Sequence, residues 1–544
     1  MLLGLIPIPA SALGSMVALL AVVAFAAFCV RRFAAGRLAA FGPGRGPLVL
    51  AACGIGLLAF GVRLTLAEGH VSWAPYLDQW GAEIGGVVAP LAHGSLGWRD
   101  MVAGNNEHRV FLTRAISLAA IEINGCWDNR ALVIVNYLLE SAIIAWVSAL
   151  AWSFLGWLRG SYVAAAALLP MFLVCDWESI MWSNQTQFVA MAFCSVLALT
   201  LTESRSLRSL QAWGALAVAL LTLGSMASGF LAAVAMAATA ALTAFVNRQE
   251  WRTVIGYCSA CVAIAAFGWL TRDHFELLFF LYAKDFGDWL HAFLAYAAWP
   301  LPAGVAGFLG LWLPWIILLG LTLRRRAMHP FAPFALGLGL WALLQGCAIA
   351  WARAGLSSVV SSRYVEFLWW GVVANAVAIV LVLGGPGSAG KLRAASFALL
   401  GVWLAGVGAC EIRMSIRVHR PYYEQYRGYT VEHEQRLGDF MRSGDANVIE
   451  GVRFPRIPHY NPDLIVALLR DPGVQALLPG PMRRDLMRDR RPSLLPSIQD
   501  GTLSTLAVFA LRNGLWFAAA GAALIIGAAY RALRSGARAH QVPR

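Results

Sequence analysis

The chain has 544 residues, of which 59% are hydrophobic and only 13% charged, with a mean hydropathy of +0.65. That balance is too apolar for an ordinary soluble domain, so the bilayer is the expected solvent. The net charge of +13 does not point to nucleic acid, because the basic residues fall in short segments between apolar runs rather than along one polyanion-binding face.

A membrane span needs roughly 20 apolar residues, and about thirteen such runs can be laid along the chain, the first over 11–30 and the last over 503–530. An all-α polytopic bundle follows, since an open sheet cannot satisfy its backbone in lipid. No Lys or Arg precedes the first run, and no small-x-small site precedes Arg31 and Arg32, so it reads as a retained helix rather than a signal peptide. The nine cysteines are scattered without CxxC pairs and read as small core hydrophobes. Cys126 and Cys175 fall on one face, which leaves a disulfide between them open.

Counting helices alternately gathers Arg31, Arg32, Arg37, Arg45, Arg159, Arg205, Arg208, Arg248, Arg252, Arg324, Arg325, Arg326, Lys391, Arg393, Arg531, Arg534 and Arg538 on one side. By the positive-inside bias that side is cytoplasmic. The opposite, exoplasmic face receives 68–130, 175–187, 271–302, 353–366 and 413–501. The division expected is a transmembrane bundle over 1–412 carrying these loops, a small exoplasmic α-rich region over 413–501, and a last helix with a basic tail over 502–544. Within 413–501 a helix is expected over 421–441. So short a region is near the lower limit for an independent core, and packing against the ends of the bundle is expected.

Three polar groups stand out. The first loop carries Pro75-Tyr76-Leu77-Asp78-Gln79-Trp80, then Asn105-Asn106-Glu107-His108-Arg109, then Trp127-Asp128. Asp78 has the chemistry to accept a proton from a hydroxyl, Glu107 and His108 to assist it or hold a metal, and Arg109 to neutralise a phosphate. The plain alternative is that the acids solvate a loop and cap helices, with Trp80, Trp127 and Arg109 in an interfacial belt. The second group is Asp176-Trp177-Glu178-Ser179, followed by Trp182, Asn184, Gln185 and Gln187. Polar groups so close to hydrocarbon need partners, and Glu178 and Gln185 are candidates for hydrogen-bonding a sugar; the alternative is a hairpin capped by its own side chains. The third is Ser361-Ser362-Arg363-Tyr364-Val365-Glu366 at the mouth of an apolar span. Arg363 suits a bidentate phosphate contact and Tyr364 stacking on a ring, against snorkelling from the span end. The Gly224-Ser225-Met226-Ala227-Ser228-Gly229 stretch reads as a site of close helix packing, since no P-loop lysine follows it.

Asp78 of LDQW and Glu107 and His108 of NNEHR in the first outer loop, the many helices, the late Arg363-Tyr364 pair and the C-terminal outer region resemble the GT-C class of membrane glycosyltransferases, and LDQW, NEHR, DWESIMWSNQTQF and SMASG together resemble more closely a group of bacterial polytopic membrane proteins with that layout. The resemblance runs over roughly the first 370 residues as a layout. It implies transfer of a sugar from a polyprenyl-phosphate carrier, the donor substrate, to an exoplasmic glycan or lipid acceptor at the bacterial inner membrane. It implies Asp78 as general base, Glu107 as a second acid and Arg363 as the carrier-phosphate contact, with inversion at the sugar. Two departures bear on this: the first outer loop follows two helices rather than one, and Gln79 stands where an acidic partner often follows the catalytic acid, so neither a metal nor another cofactor is expected. The rival readings are a transporter or flippase of lipid-linked glycans, a glycan polymerase or ligase, and an assembly partner without catalysis. Transporters place ionisable groups near the midplane, whereas the spans here read as largely free of buried charge, which favours the transferase.

Overall fold

The computed structural model describes residues 45–202, 207–249, 251–272, 276–355, 360–383, 390–479 and 501–539. The helix expected over 11–30 and the arginines at 483–491 lie outside them. Helices dominate. They are α1 (Arg45–Ala67), α2 (Phe111–Asn124), α3 (Asn129–Leu155), α4 (Trp157–Leu168), α5 (Thr186–Leu201) and α6 (Leu210–Leu223). There follow α7 (Leu231–Val246), α8 (Trp251–Leu270), α9 (Phe286–Ala298), α10 (Val305–Arg325), α11 (Ala332–Arg353) and α12 (Val365–Leu383). The chain ends with α13 (Gly390–Met414), α14 (Arg420–Ser443), α15 (Pro462–Arg470), α16 (Thr502–Arg512) and α17 (Gly514–Ala539). The one sheet among the described residues is a ribbon of two short antiparallel strands, β1 (Gly104–Asn105) and β2 (His108–Arg109).

Eight helices among the described residues are long and apolar enough to cross a membrane, and shorter apolar helices stand beside them. The chain is a membrane-embedded, all-α polytopic protein. Large apolar side chains such as Leu270, Phe280, Phe286, Leu515 and Trp516 are exposed on its flanks, as lipid-facing positions are. The spans opening at Ser183 and at Ser362 are 94% and 89% buried, whereas α17 is only 11% buried. The first two therefore occupy the centre of the bundle and α17 its edge. α17 nonetheless lies close along α1: a Cβ at Gly61 would stand 2.1 Å from the Ala518 backbone nitrogen, so only glycine admits this approach. The Gly224–Gly229 turn serves the packing expected of it, since a Cβ at Gly229 would meet the Thr222 carbonyl.

At one end of the bundle the chain builds a compact polar-and-aromatic cap. The segment expected to be a loop over 68–130 is largely helical, with a π-helical turn at Trp80–Val88 and α2. The helix expected over 421–441 is found as α14, and it continues α13 through a π-helical turn at Ser415–His419. The boundary expected at 412 therefore falls inside a continuous helical rod. Beyond α14 the chain folds back, and Leu437, Phe440, Ile449, Ile465, Leu469 and Val474 share one apolar core with Trp80, Leu96, Leu118 and Trp127 of the first segment. Trp80 and Trp127 are thus fully buried, not members of an interfacial belt. Cys126 and Cys175 are both buried and are not joined by a disulfide; Asn124 donates to the first, and the second contacts the Glu411 carbonyl.

Candidate functional site

Both central spans open at this capped end with a 3-10 turn, Ser183–Gln185 ahead of α5 and Ser362–Tyr364 ahead of α12. A short helix, Trp177–Met181, runs beside them. Glu178 on that helix joins the two elements: its carboxylate accepts the Arg363 guanidinium at 2.9 Å, the Arg363 backbone N–H at 3.2 Å and the Ser361 and Ser362 hydroxyls. Asp78 approaches the same guanidinium closely enough for its charge to act on it, and also acts on His459. A long hydrogen bond of 3.5 Å from Asn106 is its side-chain tether.

The backbone that presents Asp78 is strained. Leu77 adopts a φ of +43°, a conformation that is rare outside glycine and costs of order 1–3 kcal/mol. It is held there because its N–H donates to the Pro458 carbonyl at 2.7 Å, while Gln79 accepts the Tyr76 N–H at 2.8 Å. Gln79 in turn donates to Asn129 at 2.8 Å and Ser183 at 2.7 Å. Gln79 is therefore the buried anchor of the Asp78 turn. Behind it, Glu83 is fully buried and accepts from Ser117, Trp127 and Ser183. Burial pushes its carboxyl up, against the lowering effect of those donors.

The β1–β2 ribbon turns through Asn106 with φ +54°, a left-handed position that asparagine tolerates, and so delivers Glu107 and His108 to the site. Glu107 forms an ion pair with Arg353 at the end of α11, and Arg353 also bonds Tyr364. Glu107 Oε2 and His108 Nδ1 are out of solvent and unpaired. Burial, reinforced by the charges of Arg353 and Arg363, holds the His108 imidazole down at about 3. At neutral pH it is an uncharged donor or acceptor, not a cationic acid. The sign of the consequence is fixed: the unfolded chain takes up this proton as pH drops below about 6.5 and the folded chain does not, so stability falls toward low pH. His108→Gln should lack that component. The gap between its unfolding midpoint and that of the wild type should change between pH 7.5 and 5, the dependence being at most about 1.4 kcal/mol per pH unit; parallel pH dependences would show that His108 is not held neutral.

Of the expected site residues, Asp78, Glu107, His108, Glu178, Arg363 and Tyr364 come together. Tyr364 is buried edge-on against Phe188 and Tyr296. Arg109 is turned aside and donates to the Thr271 carbonyl. Gln185 is buried in the turn ahead of α5 with its Oε1 unpaired.

One constellation was not anticipated. Arg63 of α1 is completely buried and holds Asp176 through two guanidinium nitrogens and Glu140 of α3 through Nε at 2.9 Å. Glu366, one turn beyond Arg363, places an oxygen within 4.8 Å of oxygens from Glu140 and Asp176. Glu411 of α13, fully buried with both oxygens unpaired, acts electrostatically on Asp176. The spans are therefore not free of buried charge, and that ground for setting transport aside does not stand. Two carboxylates at 4.8 Å repel by about 3 kcal/mol at an effective dielectric of 20, and one guanidinium cannot offset four. A hard cation would need six to eight oxygens, but Arg63 already takes both Asp176 oxygens and one of Glu140, which argues against a metal ion in this arrangement.

Comparison of the chain with protein-family models, curated proteins and solved structures finds no match.

Proposed function

We propose that the protein is a glycosyltransferase that moves a sugar from a polyprenyl-phosphate carrier to a glycan or lipid acceptor. The observation that carries this reading is the convergence of Asp78 with Arg363 and of Glu107 with Arg353 where the two arginine-bearing helix ends meet the cap. A guanidinium has five N–H donors, and Arg363 keeps a buried Nε with no partner beside its Glu178 pair. Such a group suits a lipid-linked phosphate whose tail lies in the bilayer. Asp78, tethered only loosely on a strained turn, suits a base that takes the acceptor proton as the hydroxyl attacks the anomeric carbon. The carrier phosphate leaves with the bonding pair, its charge offset by the arginines. In this reading the fold is GT-C-like with about thirteen spans, the shorter apolar helices also crossing, and the cap faces the periplasm from a bacterial inner membrane.

The test is affinity for a polyprenyl phosphate in nanodiscs. Arg363→Ala should weaken it by about 1.5–3 kcal/mol, the worth of a charge-assisted hydrogen bond, and Arg363→Lys should recover part. Unchanged affinity with a lowered unfolding midpoint would make Arg363 only the structural partner of Glu178.

The Arg63 constellation favours a second reading, proton-coupled transport, because buried ionisable groups inside a bundle mark proton and ion pathways. Uptake of a lipid-linked glycan driven by a pH gradient, with no sugar transferred, would support it.

A further inference from the structure

We infer that Glu140 and Glu366 form a buried binding site for one exchangeable proton, held between them beneath the candidate site. The inference does not rest on the transferase reading. Glu140 is 5% and Glu366 9% exposed, and each keeps an Oε1 out of solvent with no partner. Both line a small cavity of about 30 Å³, together with Asp176 and the apolar side chains of Ile143, Val189 and Trp369. That space is large enough for a water but lined mainly by hydrocarbon.

The charge inventory selects the proton. Arg63 from α1 spends its bonds on Asp176 and on the other oxygen of Glu140. From α3 the facing groups are Glu140 and Tyr137, from the 175–181 segment Cys175, Asp176 and Ser179, from α12 Glu366, from α13 Glu411, from the turn before α14 His419, and from α14 Tyr423. Arg63 is the sole permanent cation in that set, His419 being a titratable imidazole. With Asp176 ionised against Arg63, an ionised Glu140–Glu366 pair would leave two uncompensated charges in hydrocarbon, and a single shared proton removes the mutual repulsion while giving both free oxygens a partner. The site is mechanically joined to the one above it. Asp176 is two residues from Glu178, and Glu366 lies one helical turn from Arg363, so the Glu178–Arg363 ion pair and the proton site share two elements. A proton exchanged by chemistry or transport at the upper site can be held here without entering lipid.

The full chain in nanodiscs, titrated with base and followed by infrared spectroscopy, tests this. A protonated carboxyl gives a C=O stretch that shifts in D₂O. Beyond the absorption of the other buried carboxyls, Glu83 and Glu411 among them, the wild type should show a component lost as pH rises, with release of about one proton per chain. Because either partner alone should ionise beside Arg63, both Glu140→Gln and Glu366→Gln should lose the whole component, while Glu122→Gln, outside the cluster, should keep it. Circular dichroism verifies folding, and either folded variant suffices to read the result. Survival of the component in Glu140→Gln or in Glu366→Gln overturns the shared proton. So does its displacement at fixed pH by sodium or calcium chloride, which would make the cluster a cation site.

Discussion

Arg63→Met should be among the most destabilising single substitutions in the chain. Arg63 is completely buried and is the common partner of Asp176 and Glu140, which stand 113 and 77 residues away in sequence. Methionine fills most of its volume without the charge, so the variant isolates the loss of pairing. Breaking a buried ion pair by removing one partner costs about 3–5 kcal/mol, because the remaining charge stays in low dielectric. The acids can take up protons and soften the loss, which sets the lower end of that range. Thermal unfolding of the purified protein in detergent measures it. A midpoint within a degree of the wild type would mean that Arg63 does not hold α1 to α3 and the 176–181 segment.

Asp78→Asn should abolish transfer with little effect on stability. The substitution keeps shape and the Asn106 contact but removes the proton acceptor, and general-base catalysis is worth roughly 10²–10⁴ in rate. The loss should fall on kcat, with donor affinity retained through Arg363 and Arg353. Glu107→Gln should be milder in rate but should loosen Arg353, its ion-pair partner, and so weaken donor affinity. Wild-type turnover in Asp78→Asn would remove Asp78 as the base.

The helical membrane class was legible in composition and in the apolar runs. The polar site was legible in part, because Asp78, Glu107, Glu178 and Arg363 are charged groups beside span ends, where sequence alone flags a need for partners. Their pairing was not: Glu178 meets Arg363 across 185 residues, and Arg353 meets Glu107 across 246. The Arg63 constellation was missed for a different reason. Arg63, Glu140 and Glu411 are single charges inside long apolar runs, and averaging over a span dilutes them until the run reads as uncharged, while Asp176 and Glu366 stand out in sequence only as members of separate polar groups. Each taken singly was the available signal, since an ionisable residue in a span is costly unless it is paired or used. In sequence Gln79 is a departure from an acidic pattern, whereas its position under a positive-φ turn gives it a structural task. The helical first segment reads as a loop in sequence because its helices bury their faces against the 437–478 core, a partner more than 300 residues downstream.

The most direct test of the proposed activity is transfer itself, in proteoliposomes holding the purified chain, a radiolabelled polyprenyl-phosphate sugar and candidate glycan or lipid acceptors. The expected result is label moved to an acceptor at a rate cut at least a hundredfold by Asp78→Asn, together with release of polyprenyl phosphate in equal amount. Movement of intact donor across the bilayer, with no label on any acceptor and no effect of Asp78→Asn, would contradict the transferase and leave the Arg63 constellation as the centre of a transporter.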